Sequence, residues 1–222
     1  MTSTLHSEPV AGLLADLYSR AATARAARPR ASRSGAPEQG LTSDQAQARA
    51  DALEDQYMPI GEETGLLTYQ LIRAARPAQV VEFGTSYGVS TLYLAAAVRD
   101  NGTGHVHTTE MNAKKIAAAR ATFADAGLDD LVTVHEGDAV TTLAELAGPI
   151  GFVLLDGWKP MYRPLLDVLE PKLAPGALLL ADNTSLAGLD DYLAYVRDPA
   201  NGYAGVSLPG KGEDTVELSV RL

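Results

Sequence analysis

The chain has 222 residues, no cysteine and a formal net charge of -10, with a pI near 4.8. The missing thiols exclude disulfides, thiolate zinc sites and a cysteine nucleophile, so any chemistry rests on oxygen and nitrogen groups. The acidity opposes nucleic-acid partners. With 46% hydrophobic residues and a mean hydropathy of -0.04, the chain reads as a soluble single domain with no membrane partner. Residues 1–10 lack the basic start and apolar stretch of a secretory signal, which predicts a cytoplasmic protein.

Residues 8–28 place Leu13, Leu14, Leu17 and Tyr18 at helical spacing among alanines, predicting a helix. Residues 28–40 carry turn residues without periodicity and predict a loop. Arg20, Arg25, Arg28, Arg30 and Arg33 fall in or beside it with no acid between them; a solvated linker is favoured over an arm for an anionic ligand. Thr42 or Ser43 can cap a helix to residue 57, which Pro59 ends. A further helix is expected over 62–75. From there strands (79–83, 105–109, 131–135, 150–155, 176–181) alternate with helices (90–98, 113–126, 141–146, 164–173, 188–196). After Asn201-Gly202, residues 203–208 and 215–221 read as a β-hairpin. The alternation predicts an α/β, Rossmann-like, mostly parallel seven-stranded sheet with helices on both faces, a C-terminal antiparallel hairpin and extra N-terminal helices. Residues 1–57 read as a cap-like N-terminal segment and 58–222 as the ligand-binding domain.

In such sheets ligands bind beyond the carboxyl ends of the strands, and the residues there are distinctive. Glu82-Phe83-Gly84-Thr85-Ser86-Tyr87-Gly88 is a strand, a glycine turn and a helix start, which lets backbone pass close to a ligand. The spacing is not that of dinucleotide enzymes, and Glu82 beside the turn suits a cationic cofactor such as S-adenosylmethionine better than a diphosphate. Glu110 ends the second strand, where an acid can hold ribose hydroxyls; Gly137-Asp138-Ala139 at the third strand end would flank an adenine. Asp156-Gly157-Trp158-Lys159 closes the fourth strand and Asp182-Asn183 the fifth. If those two strands are neighbours, Asp156, Asp182 and Asn183 form an all-oxygen set suited to Mg2+ or another divalent cation. A lysine beside such a cation loses part of its preference for the charged form, which makes Lys159 a candidate base. Capping and turn roles remain the alternative for each of these acids. His105, His107 and His135 lack a third ligand at a useful spacing and read as ordinary polar or packed histidines.

These residues resemble the metal-dependent catechol O-methyltransferase group of the class I S-adenosylmethionine-dependent methyltransferases. Asp156-Gly157-Trp158-Lys159 is similar to that group's Asp-His-Trp-Lys, and Leu179-Leu180-Ala181-Asp182-Asn183 matches its Leu-Leu-Ala-Asp-Asn. Thr109-Glu110-Met111-Asn112, Asp191-Tyr192-Leu193-Ala194-Tyr195-Val196-Arg197 and Met58-Pro59-Ile60-Gly61 extend the match over about 58–197. The resemblance implies that Asp156, Asp182 and Asn183 bind the metal and that Lys159 is the general base. It also implies that Ile60, Glu82, Gly84, Ser90, Glu110, Met111, Asp138, Ala139, Asp156 and Trp158 form the cofactor site. The implied reaction takes the proton of an acceptor hydroxyl to Lys159 while the oxygen receives the methyl group in line with the sulfonium sulfur. The acceptor would be a small hydroxylated aromatic, and a homodimer is compatible with the chain.

The chain also departs from that pattern. Gly157 replaces the histidine, Gln56 stands where a gatekeeper tryptophan is expected, Ala187 replaces a proline, and the acids of the hairpin, Glu213 and Asp214, fall in its turn. A different small-molecule hydroxyl or nitrogen as acceptor, or a non-catalytic cofactor-binding protein, are the alternatives.

Overall fold

In the computed structural model, which describes residues 3–27 and 41–222, three helices precede the sheet: α1 (Glu8–Ala27), α2 (Ser43–Ala52) and α3 (Glu62–Ala75). Thr42 and Gln45 cap α2 reciprocally, as a Thr-x-x-Gln start allows. The helix stops at Ala52, short of the expected residue 57. Past it, Tyr57 stacks on Tyr87 with ring centroids 3.9 Å apart, and Tyr87 Oη donates to the Glu54 carbonyl at 2.5 Å; tertiary contacts claim a stretch that local propensity would continue. The expected loop at 28–40, with Arg28, Arg30 and Arg33, lies outside the described residues. Arg20 pairs with Asp16 at 2.8 Å.

The remaining elements alternate as predicted: β1 (Gln79–Phe83), α4 (Val89–Asn101), β2 (His105–Glu110), α5 (Ala113–Asp125), β3 (Val132–Glu136), α6 (Ala139–Thr142), β4 (Ile150–Leu155), α7 (Tyr162–Leu169), β5 (Leu173–Ala181), α8 (Asp190–Arg197), β6 (Tyr203–Pro209) and β7 (Thr215–Arg221). The seven strands lie in the order β3-β2-β1-β4-β5-β7-β6. The first five are parallel, and β7 runs antiparallel between β5 and β6. The order reverses between β1 and β4, which makes a switch point where a doubly wound sheet leaves a crevice.

β4 shows why this sequence needs both faces covered. Its side chains alternate sides, yet nearly every residue is apolar. Phe152 and Leu154 join the core beneath α1, α3 and α4, while Val153 and Leu155 join a second core beneath α6, α7 and α8. Leu5, Val10, Leu14 and Leu17 belong to the first core, so α1 packs on the helical layer rather than standing apart. α4 is buried along nearly its whole length, and its alanines allow that close approach on all sides. Among the described residues, no helix is long and apolar enough to cross a membrane.

Candidate functional site

Register brings the chemistry-bearing residues into one row. Phe83 pairs with Thr109 and with Leu155, Leu155 with Ala181, and Glu110 with Glu136. Gly84, Glu110, Gly137, Asp156 and Asp182 therefore lie side by side at the carboxyl edge. They line a cleft of about 1170 Å³, larger than the roughly 300–1,000 Å³ common for one small ligand.

The β1 turn begins at Gly84, whose φ is +107° and where a Cβ would lie 2.7 Å from the Asp156 carbonyl oxygen. Only glycine fits such an approach. The turn carries Ser86 at φ 47°, with its amide donating to Glu110 Oε2 at 2.8 Å. Glu110 Oε1 accepts from the amides of Met111 and Asn112, both at 2.9 Å. Those bonds fix the carboxylate at the lip of the cleft. Glu82 is fully buried behind it and accepts from Thr91 and Thr108, both at 2.5 Å. Burial raises its pKa against the hydrogen bonds of Ser90, Thr108 and Thr91. Among the described residues, Ser86 Oγ is buried without a hydrogen-bond partner. An orphaned polar atom on a residue of the glycine turn that lines the cleft fits a ligand rich in hydrogen-bonding groups such as S-adenosylmethionine.

At the other end, Asp156 and Asp182 close adjacent strands. Burial, and then the Asp182 carboxylate, push the pKa of Asp156 up. Burial does the same to Asp182, opposed by Lys159 and the Asn183 amide. Lys159 Nζ lies 3.6 Å from Asp156 Oδ1. Asn183, at φ 59°, donates through Nδ2 to Asp214 Oδ2 at 2.9 Å, which leaves Oδ1 as its acceptor. Two desolvated carboxylates and an amide oxygen in one cleft fit a hard divalent cation, which would relieve their mutual repulsion. Among the described residues, no group of three or more histidines, aspartates or glutamates is placed to hold a metal; this set depends on its amide.

The structure adds residues to which the sequence assigns no place in the site. Asp214 lines the cleft because β7 runs antiparallel beside β5, so the hairpin turn returns to the carboxyl edge. Despite its burial, bonds from Ser185 and Asn183 hold its carboxyl below the usual range. Tyr162, fully buried, reaches Lys159 Nζ at 2.7 Å. The N-terminal helices supply a wall through Tyr18, Arg25 and Arg49, with the Arg49 guanidinium 4.9 Å from the Trp158 ring centroid. Helix α2 is tied down by polar contacts: Gln47 donates to the Met111 carbonyl, Asn112 to Asp51, and Ser43 to Asp138. A periodicity search cannot find such partners, since they join residues about 60 to 95 positions apart.

Of the sequence-predicted residues, Gly84, Glu110, Met111, Asp156, Trp158, Lys159, Asp182 and Asn183 line this cleft. Ser90 borders a small adjoining recess beside Gly84 and Asp156. Ile60 is buried in the core, and Ala139 is buried at the start of α6. Asp138 caps α6 through the Val140 amide at 2.9 Å. Glu82 points at α4, because it shares the face of Val80. Gln56 lines the cleft where the resemblance expects a tryptophan. His107 Nδ1 and His135 Nε2 bond at 3.1 Å on the sheet edge, away from this row; burial and the neighbouring histidines lower the His107 pKa to about 4.

Gly157 has a local cause. A Cβ there would meet the Phe83 ring carbons at 2.5–2.7 Å. Gly157→His is expected to lower the unfolding free energy by about 1–3 kcal/mol through overpacking, measured by urea denaturation. Adding Phe83→Leu should recover part of the loss; no recovery would place the strain elsewhere.

Comparison with known proteins agrees with this geometry. A family model described as a methyltransferase domain matches residues 81–184. A probable O-methyltransferase of Mycobacterium tuberculosis is 35% identical over 149 residues, covering 62% of this chain and 63% of its own length. Catechol O-methyltransferase B of Danio rerio is 34% identical, over 64% of this chain and 55% of its own. Catechol O-methyltransferase of Sus scrofa is 30% identical, over 65% of this chain and 80% of its own. The chain thus spans less than two thirds of the first two relatives. In fold, it is similar to an O-methyltransferase from Bacillus cereus solved in complex with SAH, with a TM-score of 0.66 and 21% identity over 82% of this chain and 93% of that one.

Proposed function

The chain belongs to the S-adenosylmethionine-dependent O-methyltransferase family, and on that footing we propose that it methylates a hydroxyl of a small, catechol-like aromatic acceptor in a reaction that needs a divalent cation. The observation that carries this reading is the meeting of Asp156, Asp182, Asn183 and Lys159 in one cleft. When bound, S-adenosylmethionine supplies a methyl group on a positively charged sulfur, and the cation supplies charge that eases ionisation of a neighbouring hydroxyl.

The chain's own residues do the rest. Glu110, pinned by three amides, would take the ribose hydroxyls, and Ser86 Oγ would gain the partner it lacks. Gly84, Met111 and Trp158 shape the same groove. Asp156 and Asp182 would hold the cation with Asn183 Oδ1, and Asp214 keeps the Asn183 amide turned for that task. Lys159 is 8% exposed, so its amine can take the acceptor's proton where bulk water does not compete. Positioned proton transfer of this kind is worth about 10²–10⁴ in rate. Helices α1 and α2 act as the cap over the cleft, and orientation of the two reactants beneath it contributes further.

A panel of diphenols and monophenols with labelled S-adenosylmethionine, with and without Mg2+, tests the reading. Transfer to vicinal diphenols that stops in EDTA and returns with Mg2+ is expected. Undiminished transfer in EDTA would remove the metal from the reaction, and transfer confined to monophenols or amines would remove the catechol-like acceptor.

A further inference from the structure

Lys159 carries an unusual amount of side-chain geometry on one partner. Tyr162 opens α7 with its ring wholly buried, set edge-on against Phe83 and Tyr192. Its hydroxyl oxygen lies 2.7 Å from Lys159 Nζ, 2.7 Å from the Leu155 carbonyl oxygen and 3.1 Å from the Asp182 carbonyl oxygen. Leu155 precedes Asp156, so these carbonyls belong to the two strand ends that bear the carboxylates.

A phenol has one proton. Carbonyl oxygens only accept, so that proton is directed to the main chain, and the phenol oxygen is left to accept from Lys159. An sp³ amine whose N–H bond is held by Tyr162, with Asp156 Oδ1 at 3.6 Å drawing a second, has one remaining direction. That direction holds the third N–H of the ammonium or the lone pair of the free amine, and Lys159 lines the cleft.

We propose that Tyr162 is a positioning residue for this methyl transfer, a buried peg that aims the free valence of Lys159 into the acceptor end of the cleft and locks it to the ends of β4 and β5. The proposal rests on Lys159 being the base. Tyr162 itself touches neither reactant in this arrangement; it acts through the amine.

The test is a double-mutant cycle of Tyr162→Phe and Lys159→Met, read as kcat and KM for a diphenol, the Kd of S-adenosylmethionine, and the melting temperature. Tyr162→Phe is expected to lower kcat by about 10–100-fold, as loss of a partner that orients a reacting group does, with KM and Kd within about twofold. In the Lys159→Met background the same change is expected to leave the residual rate unmoved, because the two groups act as one unit. An equal drop in both backgrounds would make Tyr162 merely structural and overturn the proposal, as would an unchanged kcat in the single variant. If Lys159→Met keeps its rate, the base assignment fails and the proposal falls with it; if only Tyr162→Phe keeps its rate, the proposal alone fails. Should Tyr162→Phe not fold, 3-fluorotyrosine placed at residue 162 keeps the hydroxyl but weakens it as an acceptor. A fall in kcat with KM and Kd unchanged then supports the peg, and an unchanged kcat overturns it.

Discussion

Asp182→Asn is expected to lower metal-dependent turnover by about 10²-fold or more, since orienting partners of metal ligands already cost 10–100-fold, and at the same time to raise the melting temperature of the metal-free protein. The two effects share a cause. Asp156 and Asp182 are desolvated beside one another, and burial together with neighbouring carboxylates raises both pKa values in the folded state. The native protein then binds more protons than the unfolded chain at pH values above the ordinary carboxylate range near 4. The contribution of this pair to the stability of the metal-free wild type should therefore fall as pH rises from about 4 toward neutrality, against the opposite contribution of His107, and the Asp182→Asn variant should gain stability relative to the wild type over that range. Removing one buried charge is worth about 1–3 kcal/mol, or a few degrees for a chain of this size. Added Mg2+ should raise the melting temperature of the wild type by binding the native state and leave the variant unmoved. Scanning calorimetry across pH, with and without Mg2+, checks this. A variant that melts below the wild type without metal, or that still turns over in EDTA, would contradict the shared cause.

Lys159→Met should lower kcat by about 10²–10⁴ with little change in the Kd of S-adenosylmethionine. Its effect on stability has the opposite sign to that of Asp182→Asn. Lys159 is the nearest cation to Asp156 given by the ion pairs of the described residues, so its loss leaves both carboxylates less compensated. The cost should be smaller than the about 3–5 kcal/mol of a broken tight buried pair, because the separation is 3.6 Å. Opposite shifts in melting temperature for the two variants, alongside loss of activity in both, would separate a charged catalytic cluster from a site held together only by packing.

Much of this was legible in local sequence. The strand from Gln79 to Phe83, the helix from Glu62 to Ala75 and the strand from Ile150 to Leu155 lie where the apolar runs and their punctuation place them. Boundaries slipped where another part of the chain competes. The helix after Thr42 ends early because Tyr57 stacks on Tyr87, and the fifth strand begins at Leu173 rather than 176 because its start pairs with Ile150 on β4. Likewise, Glu82 was recognisable as an unusual acid beside a glycine turn. That it points at Thr91 and Thr108 rather than into the cleft follows from which helix covers that face.

Local sequence was enough to set the order of strands and helices, the glycine turn at Gly84, and the acids at the ends of the second, fourth and fifth strands: Glu110, Asp156 and Asp182. Those are local properties, governed by side-chain alternation and by the few residues that tolerate a turn. It took the folded arrangement to make β4 and β5 neighbours, and so to make Asp156 and Asp182 one site. The same holds for β7, which runs back beside β5 and brings Asp214 to Asn183. The seating of α2 over Met111 and Asn112 and the three bonds of Tyr162 belong with these. They depend on strand order and helix docking, contacts between residues far apart in the chain, which no window of sequence contains.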